Sequence, residues 1–458
     1  MKILKKLSIL FLGLIMFTSC SDDDDVIAFV PTNNIVELAQ ATPQLSSLVT
    51  ALTKYPDLVT LLSSDNSFTV FAPNNDAFQK LLTAIGQTDI NDIPEDVLKN
   101  VLQYHVYATA ALESSAVTSS TITMANGEEA VVVANSSGVT IANAQVIAVD
   151  ALATNGVAHI IDSVMVPPSI LPIVGTIVAP AYFNKNFSTL IAAVQNANTD
   201  ILSLLLGNGP GGNGLTLFAP TNAAFEAAGI TDVNGADAVL AYHVIDGTIM
   251  ASMLPTTSGS AAEVATLGGN IYLTNAGGDV SINGTSTVIA TDITGSNGVV
   301  HVIDRTLIPP TNTINEIVAS FASGNPAEFS LLATALARAS LGDFFAGDGP
   351  YTVFAPTDAA FIAAGLTESV INETDPTAVA GILTHHVVEP NAYVFSTDLS
   401  DGAVPMLNGQ NVTISLGNLT VQDAAGTNPP AGLVASLLNV LATNGVVHVI
   451  DKVLLPAN

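Results

Sequence analysis

Three short stretches recur in the same order along the chain, and this repetition constrains the fold more than any other feature of the sequence. Copies are 136 to 147 residues apart, which is the length of a whole domain rather than of a solenoid repeat. We therefore divide the chain into three units, each with a first, a second and a third box. The first boxes are FTVFAPNNDAF (68–78), LTLFAPTNAAF (215–225) and YTVFAPTDAAF (351–361); the second are LQYHVY (102–107), LAYHVI (240–245) and LTHHVV (383–388); the third are TNGVAHIID (154–162), SNGVVHVID (296–304) and TNGVVHVID (443–451).

Each unit is predicted to be an α+β domain with helices early and antiparallel strands late. The first box predicts a short strand that ends at proline, followed by a small helix that begins after Asn or Asp. β-branched runs predict short strands between the second and third boxes, and the Asn-Gly of the third box predicts a hairpin. Ahead of the first box, apolar residues at helical spacing predict an amphipathic helix. These residues are Leu45, Leu48, Val49 and Leu52, then Phe187, Leu190, Ile191 and Val194, then Phe329, Leu332, Ala333 and Leu336.

Prolines mark the ends of the units. Pro167 with Pro168 and Pro309 with Pro310 close the first two units, and Pro456 closes the third. Residues 164–183 carry no charge, but their prolines would break a membrane-spanning helix, so we interpret this stretch as a unit boundary. The predicted domains are 32–168, 169–310 and 311–458, joined by short, stiff linkers in a rod-like tandem.

The N-terminus has the pattern of a secretory signal. Lys2, Lys5 and Lys6 precede the apolar run 7–17, and Cys20, the only cysteine, follows two small residues. This pattern predicts a signal peptide over 1–19, because the run is too short to span a bilayer. The cysteine position resembles a bacterial lipobox, in which Cys20 becomes the lipidated N-terminus that anchors the protein to a membrane. A plain secretory signal with an incidental cysteine is the alternative.

An acidic run, SDDDD, follows the cysteine directly and predicts a solvated tether over 20–31. It also resembles the export signal that places lipoproteins of Bacteroidetes on the outer face of the outer membrane. Removal of residues 1–19 would remove three of the ten basic residues and none of the 39 acidic ones, leaving a formal charge of −32. A surface this acidic repels nucleic acid, so DNA and RNA binding are excluded.

The three boxes together resemble the conserved segments of the fasciclin domain. The resemblance covers residues 32–456 and rests on three boxes in one order, three times over. It implies a domain built as a small wedge of two β-sheets with a cluster of helices. It also implies an extracellular or membrane-anchored protein that acts in adhesion.

The third-box histidines, His159, His301 and His448, are predicted to be neutral, buried and structural. Both faces of their strand are largely apolar, and the repeated box positions offer two histidines in each unit, too few for a metal site. The aspartates three residues later, Asp162, Asp304 and Asp451, fall on the opposite strand face, which is poor geometry for a His-Asp catalytic pair. We therefore assign both sets to the structural motif, with no metal and no cofactor.

The second box leaves a structural and a partner-binding interpretation open. Each box carries a Tyr-His pair, except that His385 replaces the tyrosine in the third unit. Such a pair could pack internally to satisfy hydrogen bonds, or it could lie at the rim of the wedge. The resemblance associates this box with adhesion to partners. The candidate partner-binding residues are Tyr104, His105, Tyr242, His243, His385 and His386.

The predicted function is adhesion or matrix interaction at the surface of a bacterial cell. Weak contacts from three similar modules, to an extracellular protein, a polysaccharide or a second copy, would add through effective concentration. A surface carbohydrate-binding module is the first alternative, although the chain has no tryptophan for sugar stacking. An enzyme or a metal-binding protein is the third. Nucleotide-binding, hydrolase and EF-hand motifs are absent from the sequence, and the G-x-G-x-x-G at 207–212 precedes a predicted strand and contains Pro210.

Overall fold

The computed structural model describes residues 30–198, 200–256, 261–324, 327–426 and 429–457. The predicted signal peptide, Cys20 and all but the last two residues of the predicted tether lie outside them. Within the described residues, each unit mixes helices that come early with strands that come late, as expected for an α+β domain. The fold class predicted from the repeats is confirmed.

The first unit pairs a helical cluster with one continuous run of hydrogen-bonded strands in the order β2-β1-β7-β6-β5-β4-β3. The helix predicted around Leu45 to Leu52 is confirmed, and it follows a short 3-10 turn at Pro43–Leu45. The helices are α1 (Ile35–Gln40), α2 (Ser46–Leu52), α3 (Pro56–Leu62), α4 (Asn75–Ala84) and α5 (Glu95–Gln103); the strands are β1 (Phe68–Pro73), β2 (Val106–Tyr107), β3 (Ser120–Thr123), β4 (Glu129–Asn135), β5 (Gly138–Ile141), β6 (Ala144–Ala153) and β7 (Gly156–Ile161).

The second unit repeats this arrangement, with the strand order β10-β11-β12-β13-β14-β8-β9. The uncharged stretch 164–183 forms only a 3-10 turn and the four-residue helix α6 at the start of this unit. The helices are α6 (Ala179–Tyr182), α7 (Ser188–Asn196), α8 (Ile201–Leu206), α9 (Asn222–Ala227) and α10 (Asp237–Tyr242); the strands are β8 (Leu215–Pro220), β9 (Val244–Asp246), β10 (Ala262–Thr266), β11 (Gly269–Ala276), β12 (Asp279–Ile282), β13 (Ser286–Gly295) and β14 (Gly298–Ile303).

The third unit divides its strands between two sheets, in the orders β15-β21-β20 and β16-β17-β18-β19. The long strand that joins the two regions in the other units is here interrupted by a 3-10 turn at Ala435–Leu437. The helices are α11 (Ile314–Ala322), α12 (Ser330–Ala339), α13 (Gly342–Ala346), α14 (Asp358–Ala363), α15 (Glu368–Glu373) and α16 (Pro376–Thr384); the strands are β15 (Tyr351–Pro356), β16 (Gly402–Pro405), β17 (Asn411–Ser415), β18 (Thr420–Gln422), β19 (Ala431–Gly432), β20 (Val440–Ala442) and β21 (Gly445–Ile450).

Each unit encloses two apolar cores. One lies between the box strands and the helices; in the first unit it includes Phe68, Leu98 and Ile160. The other is lined by the opposite face of the box strands and by the later strands, and includes Phe71, Tyr104 and Ile141. The two strand regions and the helix cluster correspond to the wedge that the fasciclin resemblance implies.

The first-box and third-box strands lie side by side and parallel in every unit. β1 pairs with β7 from Phe68 opposite Gly156 to Pro73 opposite Ile161, and the other units have the same register. The prediction of antiparallel late strands is therefore incomplete, because the third-box strand is antiparallel to one neighbour and parallel to the other. Parallel pairing requires a long crossover, and the second box and the later strands provide it.

An asparagine of the third box ties three segments of each unit together. Asn444 is 3% exposed; its Oδ1 accepts the N–H of Ile314 at 2.9 Å, and its Nδ2 donates to the carbonyls of Phe345 and Gly347 at 2.8 and 2.7 Å. Asn155 and Asn297 make the same set of bonds in the first two units. We call this residue the asparagine clamp.

The glycine after the clamp is required by the close approach of the parallel strands. A Cβ at Gly445 would lie 2.1 Å from the carbonyl oxygen of Tyr351, and at Gly298 it would lie 2.0 Å from that of Leu215. Gly298 also has a φ of +150°, a backbone conformation that residues with a side chain rarely adopt. The Asn-Gly dipeptide therefore does more than form the hairpin turn. The asparagine binds backbone groups of three segments, and the glycine allows the two parallel strands to approach closely.

The units also contact one another. Between the first and second, Gln87 is buried and its Nε2 donates to the carbonyl of Pro180 at 3.0 Å, while one apolar core runs across both units. Between the second and third, the ring of Tyr272 stacks on that of Tyr393 with centroids 4.1 Å apart. Both junctions therefore bury side chains from each side, beyond the linking chain itself.

Removal of the clamp should destabilise the third unit. Asn444→Ala would leave one N–H and two carbonyls without their side-chain partner in the interior. At about 1 kcal/mol for each lost hydrogen bond, we expect the free energy of unfolding to fall by roughly 3 kcal/mol in chemical denaturation. Asn372→Ala, on the exposed side of α15, is the matched control and should change stability by less than about 0.5 kcal/mol. Equal losses in the two variants would contradict the clamp.

Candidate functional site

All six side chains proposed for partner binding are buried. The most exposed of them, His105 and His386, are only 2% exposed, and Tyr242 and His385 are at 0%. The structure thus places the second box in the interior rather than at the rim of the wedge. A direct contact between these side chains and a partner does not fit this geometry. A contribution to partner binding through the segments that they position stays a prediction.

The second-box histidines join the end of a helix to the segment that follows the third box. In the first unit His105 donates through Nδ1 to the carbonyl of Val101 at 2.7 Å, and its Nε2 accepts the N–H of Met165 at 2.8 Å. His243 and His386 repeat both bonds, with the N–H groups of Leu307 and Leu454 at 2.9 Å. One ring nitrogen donates and the other accepts, so the imidazole is held in its neutral form.

The tyrosine of the box reaches across the inter-sheet core. The hydroxyl of Tyr104 donates to the carbonyl of Glu129 at 2.8 Å, and that of Tyr242 donates to the carbonyl of Asn270 at 2.7 Å. His385 replaces this contact rather than simply losing it. Its Nδ1 lies 3.0 Å from Oδ1 of Asn408, and its Nε2 accepts the N–H of Ala424 at 3.4 Å. The hydroxyl of Tyr242 also accepts from Nδ2 of Asn283 at 3.1 Å, so His385 keeps buried polar contacts at this position and changes the partners.

The third-box histidines hold an irregularity in the neighbouring strand. His159 donates through Nε2 to the carbonyl of Leu112 at 2.7 Å, and its Nδ1 accepts the N–H of Asp150 at 3.3 Å. Asp150 has a φ of +57° and lies where the register of β6 shifts. Asp and Asn tolerate this left-handed conformation better than most residues do. The equivalent pairs are His301 with Asp292 and His448 with Asn439.

Each of these histidines also lies against the phenylalanine of the first box. The parallel register puts Phe71 beside His159, with ring centroids 5.7 Å apart. The same pair forms in the other units at 5.6 and 5.7 Å. The aromatic ring covers the imidazole in the inter-sheet core and leaves it no route to solvent on that side.

The third-box aspartates act separately from the histidines. Oδ1 of Asp162 accepts the N–H of Gln145 at 2.9 Å, which prolongs the pairing between β6 and β7. Asp304 and Asp451 accept the N–H groups of Thr287 and Gly432 in the same way. The carboxylates thus bind backbone at the strand end, and the predicted poor geometry for a His-Asp pair agrees with this arrangement.

Burial favours the neutral form of the second-box histidines and of His448. It lowers the pKa of His105, His243, His386 and His448 to about 4, because the interior disfavours the charged imidazole. Burial also lowers the pKa of His385, although the nearby Asn408 side chain opposes the shift. A buried neutral histidine with both nitrogens bonded to backbone is a structural element rather than a general base.

The described part of the chain contains no group of three or more His, Cys, Asp or Glu side chains arranged to hold a metal ion. In the same residues no helix combines the length and the apolar character needed to cross a membrane. The lipidation site predicted at Cys20 lies outside the described residues and stays a prediction.

Sequence reasoning missed the asparagine clamp, since it assigned Asn155, Asn297 and Asn444 to a turn. The signal was present in the sequence, because the Asn recurs in all three copies of the third box whereas the preceding residue varies between Thr and Ser.

Comparison with known proteins identifies the repeated unit. The model of the fasciclin domain matches residues 43–167, 185–309 and 327–456. The N–H groups that the clamps bind, from Ile35, Ile177 and Ile314, each precede the matched range of their unit. The predicted boundaries at 32, 169 and 311 include them.

Similar proteins span most of this chain. Transforming growth factor-beta-induced protein ig-h3 of Sus scrofa is 28% identical over 445 residues, covering 94% of this chain and 59% of that protein. Periostin of Homo sapiens is 25% identical over 446 residues, covering 95% and 49%. The chain therefore spans about half to three-fifths of the length of these relatives.

Other similar proteins match only part of this chain. A Synechocystis protein is 39% identical over 145 residues, covering 30% of this chain and 74% of its own. A solved domain pair from the insect cell adhesion molecule fasciclin I has a TM-score of 0.29 at 18% identity, covering 59% of this chain and 97% of that one.

Acid should destabilise the fold through His105, His243, His386 and His448. The pKa of each is about 4 when folded, against an ordinary value of 6.5, so between these values the unfolded chain binds protons that the native chain does not. The stabilising effect is complete above pH 6.5 and is lost as the pH falls to about 4. For His448 alone this amounts to roughly 3 kcal/mol. His448→Gln should therefore lower the melting temperature at pH 7, and its deficit should shrink towards pH 4.

Val447→Ala is the matched control, because it removes buried volume from the same strand without removing a titrating group. Its deficit in melting temperature should be the same at both pH values. A constant deficit for His448→Gln would show that protonation of this imidazole does not affect stability. An unchanged melting temperature with lost ligand binding would make the histidine functional instead of structural.

Proposed function

The chain belongs to the fasciclin domain family, and from this premise we propose that it is a lipid-anchored adhesion protein on the outer surface of a bacterial cell. Its three fasciclin units would contact an extracellular protein or polysaccharide without covalent chemistry. Fasciclin domains form part of an insect cell adhesion molecule, fasciclin I. That protein's role is carried to this chain as a proposal.

The observation that carries the proposal is the use of the same polar side chains for the same structural purpose three times. The clamp asparagine and both box histidines of each unit bind backbone inside the fold. A scaffold whose repeated polar groups are used in this way presents its surface, rather than an internal site, to partners. Three copies on one chain allow weak contacts to add through effective concentration.

The acidic tether supports the same assignment. Residues 21–25, SDDDD, would directly follow a lipid-bearing Cys20, and like charges keep such a segment extended and away from an anionic membrane surface. The first described helix begins at Ile35, so a short spacer separates the anchor from the first unit. We infer that the protein is displayed at the cell surface, with an outer membrane location and an outward orientation as part of the proposal.

An enzymatic role is the less favoured alternative. It would require one unit to carry polar residues that the others lack, and His385 is the histidine that meets this condition. His385 is buried and bonded to Asn408 and Ala424, which leaves it no access to a substrate in this geometry. We propose a binding rather than a catalytic role.

Loss of the anchor should release the protein. Cys20→Ser removes the only thiol that could carry lipid, so the protein should move from the membrane fraction to the soluble extracellular or periplasmic fraction. Fractionation and immunoblotting of cells that produce each form would measure this. Ser19→Ala is a neighbouring control and should remain with the membrane. A Cys20→Ser protein that stays membrane-bound would contradict the lipobox.

Adhesion itself can be tested on whole cells. Cells that display the full chain should attach to surfaces coated with extracellular protein or polysaccharide more strongly than cells that lack it. The Cys20→Ser form, secreted but not displayed, should restore little attachment. Equal attachment with and without the displayed chain would contradict the adhesion proposal. Aggregation of displaying cells with one another, without a coating, would instead identify a second copy as the partner.

A further inference from the structure

A cleft lies between the second and third units, and neither unit forms it alone. Its volume is about 340 Å³, within the range of small-ligand sites. The second unit contributes the segment 305–308, and the third contributes Ile317 and Phe321 from α11. The linker prolines, Pro309 and Pro310, form part of the wall. This cleft has no role in the fold described above.

Arg305 brings a positive charge to this cleft. It is exposed, and within the described residues it forms no salt bridge. It is one of only two arginines in a chain with a formal charge of −29; the other, Arg338, donates both of its hydrogen bonds to the carbonyl of Thr374. An exposed guanidinium without a salt-bridge partner among the described residues is suited to bind a carboxylate from outside.

Thr306, the next residue, is a departure from the repeat at the same place. It follows the third-box aspartate by two positions, where the other units have Val164 and Val453, and all three side chains are buried. Its Oγ1 has no hydrogen-bond partner among the described residues. A buried hydroxyl without a partner costs about 1 to 3 kcal/mol relative to an apolar side chain of the same shape. Valine at this position would make the fold more stable, so we look for the reason for threonine in a function other than stability.

The remaining walls offer apolar surface and further polar groups. Phe321 is 40% exposed and Ile308 is 54% exposed, which is unusual for large apolar side chains beside a junction. Thr285 and Asn312 line the same cleft. The amides of Asn283 and Asn439, in contrast, are already bonded within the protein. The cleft therefore combines one cation, hydroxyl and amide groups, and apolar patches.

The junction around the cleft is held by direct contacts. Nδ2 of Asn439 donates to the carbonyl of Gly284 at 2.7 Å, and the hydroxyls of Thr274 and Thr397 lie 2.8 Å apart. Tyr272 packs against Tyr393 and also against Phe395, with ring centroids 4.1 and 5.7 Å apart. These contacts fix the two walls relative to each other, so a ligand would meet a preformed site.

We propose that this cleft binds an acidic saccharide, a segment of a uronic-acid polysaccharide. A uronic acid ring carries one carboxylate, several hydroxyls and an apolar C–H face. These match Arg305, the polar groups that include Thr306, and Phe321. A densely charged ligand is disfavoured, because the cleft has a single cation and the rest of the surface is strongly acidic. The inference rests on the adhesion proposal and names the chemistry of its polysaccharide partner.

The test compares ligands that differ only in the carboxylate. Titration calorimetry with the soluble Cys20→Ser chain would use short β-1,4-glucuronate oligomers and cello-oligosaccharides of equal length. The glucuronate should bind, with an affinity that falls as salt is added, and the neutral sugar should bind at least ~10-fold more weakly. Equal binding of the two sugars, or binding of neither, would overturn the proposal. An oligoglutamate peptide that binds as tightly as the glucuronate would assign the cleft to acidic proteins instead.

Variants locate the site. Arg305→Gln should weaken glucuronate binding by ~10-fold or more, whereas Lys54→Gln, the same charge change in the first unit, should leave it unchanged. Thr306→Val should raise the melting temperature, since it restores the residue of the other units, and should weaken binding. Unchanged glucuronate affinity in Arg305→Gln would show that the sugar binds elsewhere and would overturn the proposal for this cleft. Unchanged affinity in Thr306→Val would show that the Thr306 hydroxyl does not contribute to binding.

The two proposals fail separately. If displayed cells attach to coated surfaces and Arg305→Gln cells attach equally well, adhesion stands and the cleft proposal falls. If purified protein binds glucuronate through Arg305 but displayed cells do not attach, the site stands and the adhesion proposal falls.

Discussion

In every unit the first-box strand lies parallel to the third-box strand, although about 85 residues of chain separate them. This pairing places Phe71 beside His159 and brings the Asn-Gly turn against the start of the first strand. The clamp then binds the backbone at the start of the unit to this turn. The second-box histidine, finally, binds the segment that leaves the third box. The boxes recur together because each depends on the same strand pair.

The polar interior follows from this topology. A parallel pair needs a crossover, and the crossover brings irregular backbone into the core, where N–H and carbonyl groups must find partners. The clamp donates two hydrogen bonds and accepts one, and each of the two histidines donates one and accepts one, so these side chains satisfy both kinds of backbone group at once. Neutral imidazole can do this and imidazolium cannot, which explains why burial with a pKa of about 4 is compatible with a stable fold.

The repeat, the α+β class and the helix ahead of each first box could be predicted from the sequence, because periodicity and turn residues are local signals. The parallel pairing of the first-box and third-box strands could not be predicted, because no local pattern in residues 68–73 indicates that they pair with residues 156–161. The exposure of the second box could not be decided either: an apolar helix ending in Tyr-His is compatible with the rim or the core. The structure shows that the side chains are buried. Nε2 of His105, for example, accepts the N–H of Met165, which lies 60 residues further along the chain, and the sequence gives no sign of this contact.

A threefold repeat also provides its own comparison for each position. Where the three copies agree, as at the clamp, the fold accounts for the residue. Where one copy departs, the departure needs a reason, and the structure separates two cases. His385 departs from tyrosine but finds Asn408 and Ala424 as new partners, so packing within its own unit explains it. Thr306 departs from valine, and its hydroxyl finds no partner in the described chain, at the junction where Arg305 also forms no salt bridge within the described residues. Stability alone would favour valine at this position, and this makes the junction, rather than the repeated boxes, the place where the second unit has acquired something the fold does not need.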